Sequence, residues 1–150
     1  MINSNENQLL NAVIEFGFLK TRHIMRPRVD MVLCESTASP EKAKRLMKAG
    51  RIKRLPVFTS KIDNVIGVVY LEDLLLNPNS KIKELLREVK FVPEQKSAEA
   101  LLKFFVDNNK DIAVVVDEFG QISGIVSLED IFDELLGSAE TFDGLKTIEK

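Results

Sequence analysis

The spacing of apolar positions along the chain changes period repeatedly, and each change marks an element. Leu9, Leu10, Val13, Ile14 and Phe18 recur at near-helical intervals, which predicts an opening helix over residues 6–19 with Gly17 as its stop. Pro27 in "HIMRPR" discourages helix continuation, and "VDMVLC" after it reads as a first strand. Ser39-Pro40 supplies an N-cap with proline at the first helical position, so "EKAKRLMKA" is expected to be helical as far as Gly50. "RLPVF" and "VIGVVYL" read as two strands joined by the polar turn Lys61 to Asn64, and "EDLLL" as a helix ended by Asn77-Pro78.

After a linker centred on "NPNSKIKELLRE" the same succession returns. "VKFVP" reads as a strand, "SAEALLKFFVDNN" as a helix, "IAVVV" as a strand, "DEFG" as a turn, "QISGIVSL" as a strand and "EDIFDELLG" as a helix. In places the echo is literal: "GVVYLED" at 67–73 and "GIVSLED" at 124–130 agree at five of seven positions, 57 residues apart. The same offset carries Leu55-Pro56-Val57-Phe58 onto Ile112-Ala113-Val114-Val115, and Ala43 onto Ala100. A unit of this size has an apolar sheet face that it cannot cover alone, so the copies should pack on each other. The expected fold is α/β (α+β), with two β-α-β-β-α repeats arranged as a pseudo-twofold pair. Expected boundaries are 1–20 for the N-terminal helix, 21–78 and 79–138 for the repeats, and 139–150 for a polar tail or linker.

Composition removes several function classes. With 21 basic against 23 acidic residues there is no strong global field to draw nucleic acid. The longest apolar runs have strand length, and "MINSNENQLL" lacks the basic start and apolar core of a secretion signal, so the segment is expected to be cytoplasmic. Cys34 is the only cysteine, which excludes an internal disulfide and a thiolate zinc site and fits a reducing compartment; it is expected to be a small buried apolar residue. His23, the only histidine, has no second ligand at metal spacing. No Walker-type loop and no nucleophile with its base is present, so an enzyme is not expected, and nucleotide hydrolysis is the weakest functional hypothesis.

Ser127-Leu128-Glu129-Asp130 stands at a predicted strand-to-helix junction, where free amides and the positive end of the helix dipole favour an anion. Two readings stay open. Ser127 can donate to a phosphate oxygen while Asp130 accepts from two ribose hydroxyls, a division of labour that dinucleotide folds also use. Alternatively, Ser-x-x-Asp is a capping-box variant whose two side chains satisfy each other's amides. In the first copy Tyr70 replaces the serine and is a poor cap, yet Asp73 persists.

Taken together, the tandem unit ending in Gly-x-x-Ser-x-x-Asp, "HIMRPRVDMV", "RLPVF…DNVIGVVYLEDLL", "VKFVPE" and "IAVVVDEFGQISGIVSLEDIFDELLG" resemble the paired CBS domains, or Bateman module, of the CorC/HlyC and CNNM-like magnesium and cobalt transport-associated family. The resemblance spans roughly residues 6–138. It implies a regulatory module that binds an adenine nucleotide, ATP or AMP, with Mg2+ as an optional companion. It also implies a homodimer at the cytosolic face of the membrane and a membrane-embedded transporter domain outside this chain. The nucleotide residues it implies are Ser127 and Asp130, walled by Ile52, Lys53 and Arg54 and by Arg28, Val29 and Asp30. Apolar Ile52 and Val29 would hold the base, and Arg28, Lys53 and Arg54 the phosphates. A weaker second site falls on Tyr70, Asp73 and Ile112. The offset replaces Arg54 by Asp111 in the second copy, which would repel phosphate and favours one occupied site over two. The alternative is a dimerisation scaffold with unoccupied nucleotide sites.

Overall fold

The computed structural model describes residues 4–137; the expected tail at 139–150 lies outside them. Helix α1 (Ser4–Gly17) forms as the spacing predicts, but the residues it buries are Ala12 and Phe16. Leu9, Leu10, Val13, Ile14 and Phe18, whose spacing announced the helix, are exposed. Phe16 packs with Val92, Leu101, Phe105 and Val126, so α1 covers the second repeat and not the first that follows it.

A short helix α2 (Thr21–Ile24) leads to β1 (Arg26–Pro27), which pairs antiparallel with a strand of the second repeat, Arg26 opposite Ile125. Here the structure corrects the expected "VDMVLC" strand. Arg28–Asp30 is a 3-10 turn closed by the Met31 amide donating to the Arg28 carbonyl, and only β2 (Cys34–Glu35) is extended and paired. The reason is topological: β1 belongs to one sheet and β2 to the other, and the turn carries the chain across.

The first sheet has the order β2-β3-β4, with β3 (Arg54–Phe58) parallel to β2 and antiparallel to β4 (Val65–Tyr70). Helix α3 (Pro40–Gly50) lies between β2 and β3, capped by Ser39 Oγ accepting from the Lys42 amide. It ends on Arg51 in the left-handed conformation, so the helix runs through Gly50. Helix α4 (Leu71–Leu76) follows β4 directly. The linker is more than a spacer: Ile82–Leu85 forms a 3-10 helix that sinks Ile82 into the first repeat's core, and Arg87 bridges to Val68.

The second sheet is β1-β7-β6-β5, built from β5 (Lys90–Pro93), β6 (Ile112–Val116) and β7 (Ile122–Ser127) with the same pairing senses as the first. Between β5 and β6 runs α5 (Ala98–Asn108), capped by Ser97; after β7 comes α6, residues 128–137. The two sheets meet through Val65, Val68, Val89, Ile112, Val114 and Ile122. Val65 and Ile122 are related by the 57-residue offset, as a pseudo-twofold pairing requires. Arg28 clasps the repeats at one edge, donating to Asp63 at 2.7 Å and to the Ile122 carbonyl at 3.1 Å, while the Ile122 amide donates to Asp63 at 3.2 Å. The Arg28 hydrogen bond leads the causes that hold the Asp63 carboxyl below the usual aspartate range.

Candidate functional site

At its last residue, Ser127, β7 hands over to α6, so the first amides of that helix are unpaired by the helix itself. Asp111, just ahead of β6, lends its carbonyl to the Leu128 amide at 2.9 Å. The other two groups at the junction form a reciprocal cap: the Asp130 amide donates to Ser127 Oγ at 3.0 Å, and the Ser127 amide to Asp130 Oδ2 at 2.9 Å. The capping-box arrangement is therefore realised. It does not exhaust Asp130, because an ionised carboxylate offers about four acceptor positions and Oδ1 takes no hydrogen bond among the described residues.

This junction opens onto a cavity of about 650 Å3, within the range of small-molecule sites. It is lined by Ser127 and Asp130 of the second repeat and by Ile52, Lys53 and Arg54 of the first. Its apolar lining includes Pro56, Ile112 and Ile125. The start of β3 in the first repeat and the β7-to-α6 junction of the second both contribute to its lining.

Arg28, Val29 and Asp30 do not line this cavity. Arg28 is committed to Asp63, and Val29 is 90% exposed on its turn. Their place is taken by Arg26 and Val32 on either side of that turn, and by Arg51 from the end of α3. Arg26 shares the "RPR" motif with Arg28, which is the sequence signal for it, whereas nothing local marks Arg51. Ile112, expected at the second site, lies in this first cavity.

The second expected site is built differently. The Tyr70 side chain makes no cap for α4, and Asp73 turns instead to Arg87, which donates to both its carboxylate oxygens at 2.8 and 3.0 Å. That hydrogen-bonded pair keeps the Asp73 carboxyl below the ordinary aspartate range. Two guanidiniums lie over the Tyr70 ring, Arg54 at 3.8 Å and Arg87 at 4.1 Å. Burial, with the Asp111 carboxylate nearby, raises the Tyr70 hydroxyl. Arg54 also donates to Asp111 at 3.0 Å, so the residues related by the offset pair with each other at the cavity wall. Elsewhere, burial pushes the Cys34 thiol up to about 11, which leaves it protonated and inert at neutral pH.

Comparison with known proteins agrees with this architecture. The family model described as "CBS domain" matches residues 22–79 and 82–137. Hemolysin C of Brachyspira hyodysenteriae is 37% identical over 134 residues, covering 88% of this chain and 50% of that protein. The magnesium and cobalt efflux protein CorC of Vibrio cholerae is 34% identical over 145 residues, covering 93% and 50%. The chain thus spans about half the length of these curated relatives. Among solved structures, the CBS domain of the bacterial CNNM/CorC family Mg2+ transporter in complex with ATP superposes with a TM-score of 0.81 at 34% identity, covering 88% of this chain and 97% of that one.

Proposed function

The chain belongs to the CBS domain family, as a tandem pair of the CorC and CNNM type, and from that premise we propose that the cavity between its repeats binds an adenine nucleotide as a regulatory signal. The observation that carries the proposal is that the Ser127–Asp130 junction lines one cavity together with Ile52, Lys53 and Arg54 of the other repeat. Asp130 Oδ1 accepts from the ribose hydroxyls, the Glu129 amide and the Ser127 hydroxyl face a phosphate, and Ile52 with Ile112 walls the base. Lys53, Arg54, Arg26 and Arg51 supply the cationic side for a phosphate tail. Among the described residues no group of three or more His, Cys, Asp or Glu is placed to hold a metal.

In this reading the pair is the cytosolic regulatory part of a longer magnesium or cobalt transport protein. It works as a homodimer, and nucleotide binding biases how it docks on a membrane domain. No helix among the described residues is long and apolar enough to cross a membrane, so that domain would be supplied by another part of the longer protein. The nucleotide acts only if it prefers one docking arrangement to another.

Calorimetric titration with ATP, ADP and AMP, each with and without Mg2+, tests the site. Asp130→Ala should weaken binding by about ten- to one-hundred-fold, the scale of a hydrogen bond to a charged group. Asp73→Ala should change it little. If no nucleotide binds the wild type, the pair is a dimerisation scaffold with empty sites; equal losses from both variants would defeat the one-site assignment.

A further inference from the structure

Arg54 stands where three sets of contacts meet. Its Nη2 donates to Asp111 at 3.0 Å, its guanidinium lies 3.8 Å from the Tyr70 ring centroid, and its Nη1 is 3.9 Å from Glu72. Its Nε is buried without a hydrogen-bond partner. The guanidinium is therefore held, but not saturated. Both Arg54 and Asp111 line the inter-repeat cavity, and their side chains are 27% and 41% exposed, so an anion entering there has access to the pair.

We propose that Asp111 is an internal counter-anion that sets the charge selectivity of the cavity: it occupies Arg54 until a ligand bearing phosphates displaces it. The proposal rests on the nucleotide reading and adds to it the residue that decides which ligands succeed. Asp111 is poised for this role because its backbone carbonyl is anchored to the Leu128 amide, which fixes the carboxylate beside the start of α6. A neutral nucleoside gains nothing by opening the pair, and it leaves Arg54 and Asp111 together. A polyphosphate replaces the carboxylate on Arg54 with an oxygen of its own, at the cost of separating the pair and of facing the freed Asp111. Selectivity for phosphate count then comes from competition within the wall as well as from attraction.

The same exchange has a built-in reporter. Tyr70 is the only tyrosine in the chain, and its ring lies under Arg54 and Arg87. When Arg54 turns to a phosphate, one of the two cations over that ring moves, while Arg87 stays bound to Asp73.

The test is titration of the wild type, Asp111→Asn and Asp111→Glu with adenosine, AMP and ATP, with the Tyr70 ring signals followed by NMR. Asp111→Asn should tighten ATP about ten-fold, the worth of one net charge-assisted hydrogen bond, and leave adenosine within about two-fold. Asp111→Glu should restore the wild-type ratio. Saturating ATP should shift the Tyr70 signals, and adenosine should not. The proposal is overturned if Asp111→Asn weakens ATP, if it tightens adenosine and ATP equally, or if the ring signals ignore bound ATP. In each of these cases wild-type binding of ATP leaves the nucleotide site itself standing. If neither the wild type nor Asp111→Asn binds ATP, the site and the inference fail together.

Discussion

Ser127 and Tyr70 occupy equivalent places, and the difference between a hydroxymethyl and a phenol redirects everything around them. Ser127 is short enough to accept from the Asp130 amide, and this holds Asp130 at its own helix start with one oxygen to spare. Tyr70 cannot cap, so Asp73 is released from that duty and pairs with Arg87. Because the pair lowers the folded pKa of Asp73, its contribution to stability is complete above the unfolded aspartate pKa of about 3.9. It is lost as pH falls through the lower folded value. Asp73→Asn should therefore cause a small drop in melting temperature at pH 7 that disappears on acidification below about pH 4. Melting curves of both proteins at a series of pH values check this; a difference that grows in acid would refute it.

At the scale of elements, the two copies of the Gly-x-x-[Ser/Tyr] strand share a requirement that composition alone does not reveal. A Cβ on Gly124 would run into the Arg26 carbonyl oxygen and come within 2.8 Å of Met25 Sδ; one on Gly67 would lie 2.9 Å from the Arg87 carbonyl. Each glycine admits a foreign backbone, β1 against β7 and the linker against β4. Gly124→Ala must push β1 away, because the nearest obstacle is main chain. Overpacking of this kind costs about 1–3 kcal/mol, so its melting temperature should fall by roughly 2–12 °C. Calorimetry measures the fall, and an unchanged midpoint would show that β1 contributes nothing. The repeated glycine was visible in the sequence. What crosses it was not, since Arg26 and Arg87 lie far from their glycines in the chain.

Across the whole molecule the repeats behave as halves of one body. The Val65, Val68, Ile112, Val114 and Ile122 cluster is shared by both, and α1 covers the second repeat from the far end of the chain. The last helix of each half leaves an apolar side chain outside at the same offset position, Leu75 on α4 at 61% exposure and Phe132 on α6 at 47%. Leu75 lies in a separate groove and Phe132 at the edge of the nucleotide cavity, and a second copy that covered both would bury apolar surface of the kind the proposed homodimer needs. Light scattering should give a dimer for the wild type and a monomer for the Leu75→Glu/Phe132→Glu double variant, since four buried carboxylates per interface cannot be tolerated. A monomeric wild type at all accessible concentrations would exclude the pairing.

The primary structure determined the repeat, the main strands and helices of each copy, the serine cap of α3, and the meeting of Ser127 with Asp130. These are matters of periodicity and of neighbours three or four residues apart, and such neighbours are placed by backbone geometry alone. The opening helix was legible too, although its exposed stripe concealed that Phe16 does the packing. Only tertiary structure decided that Arg28 clasps Asp63 outside the cavity, that Ile112 joins the first site, and that Arg54 reaches Asp111 in the other repeat. Those contacts depend on how one repeat is rotated against the other. That rotation is set by the shared apolar core, which fixes distances between residues that no local spacing relates.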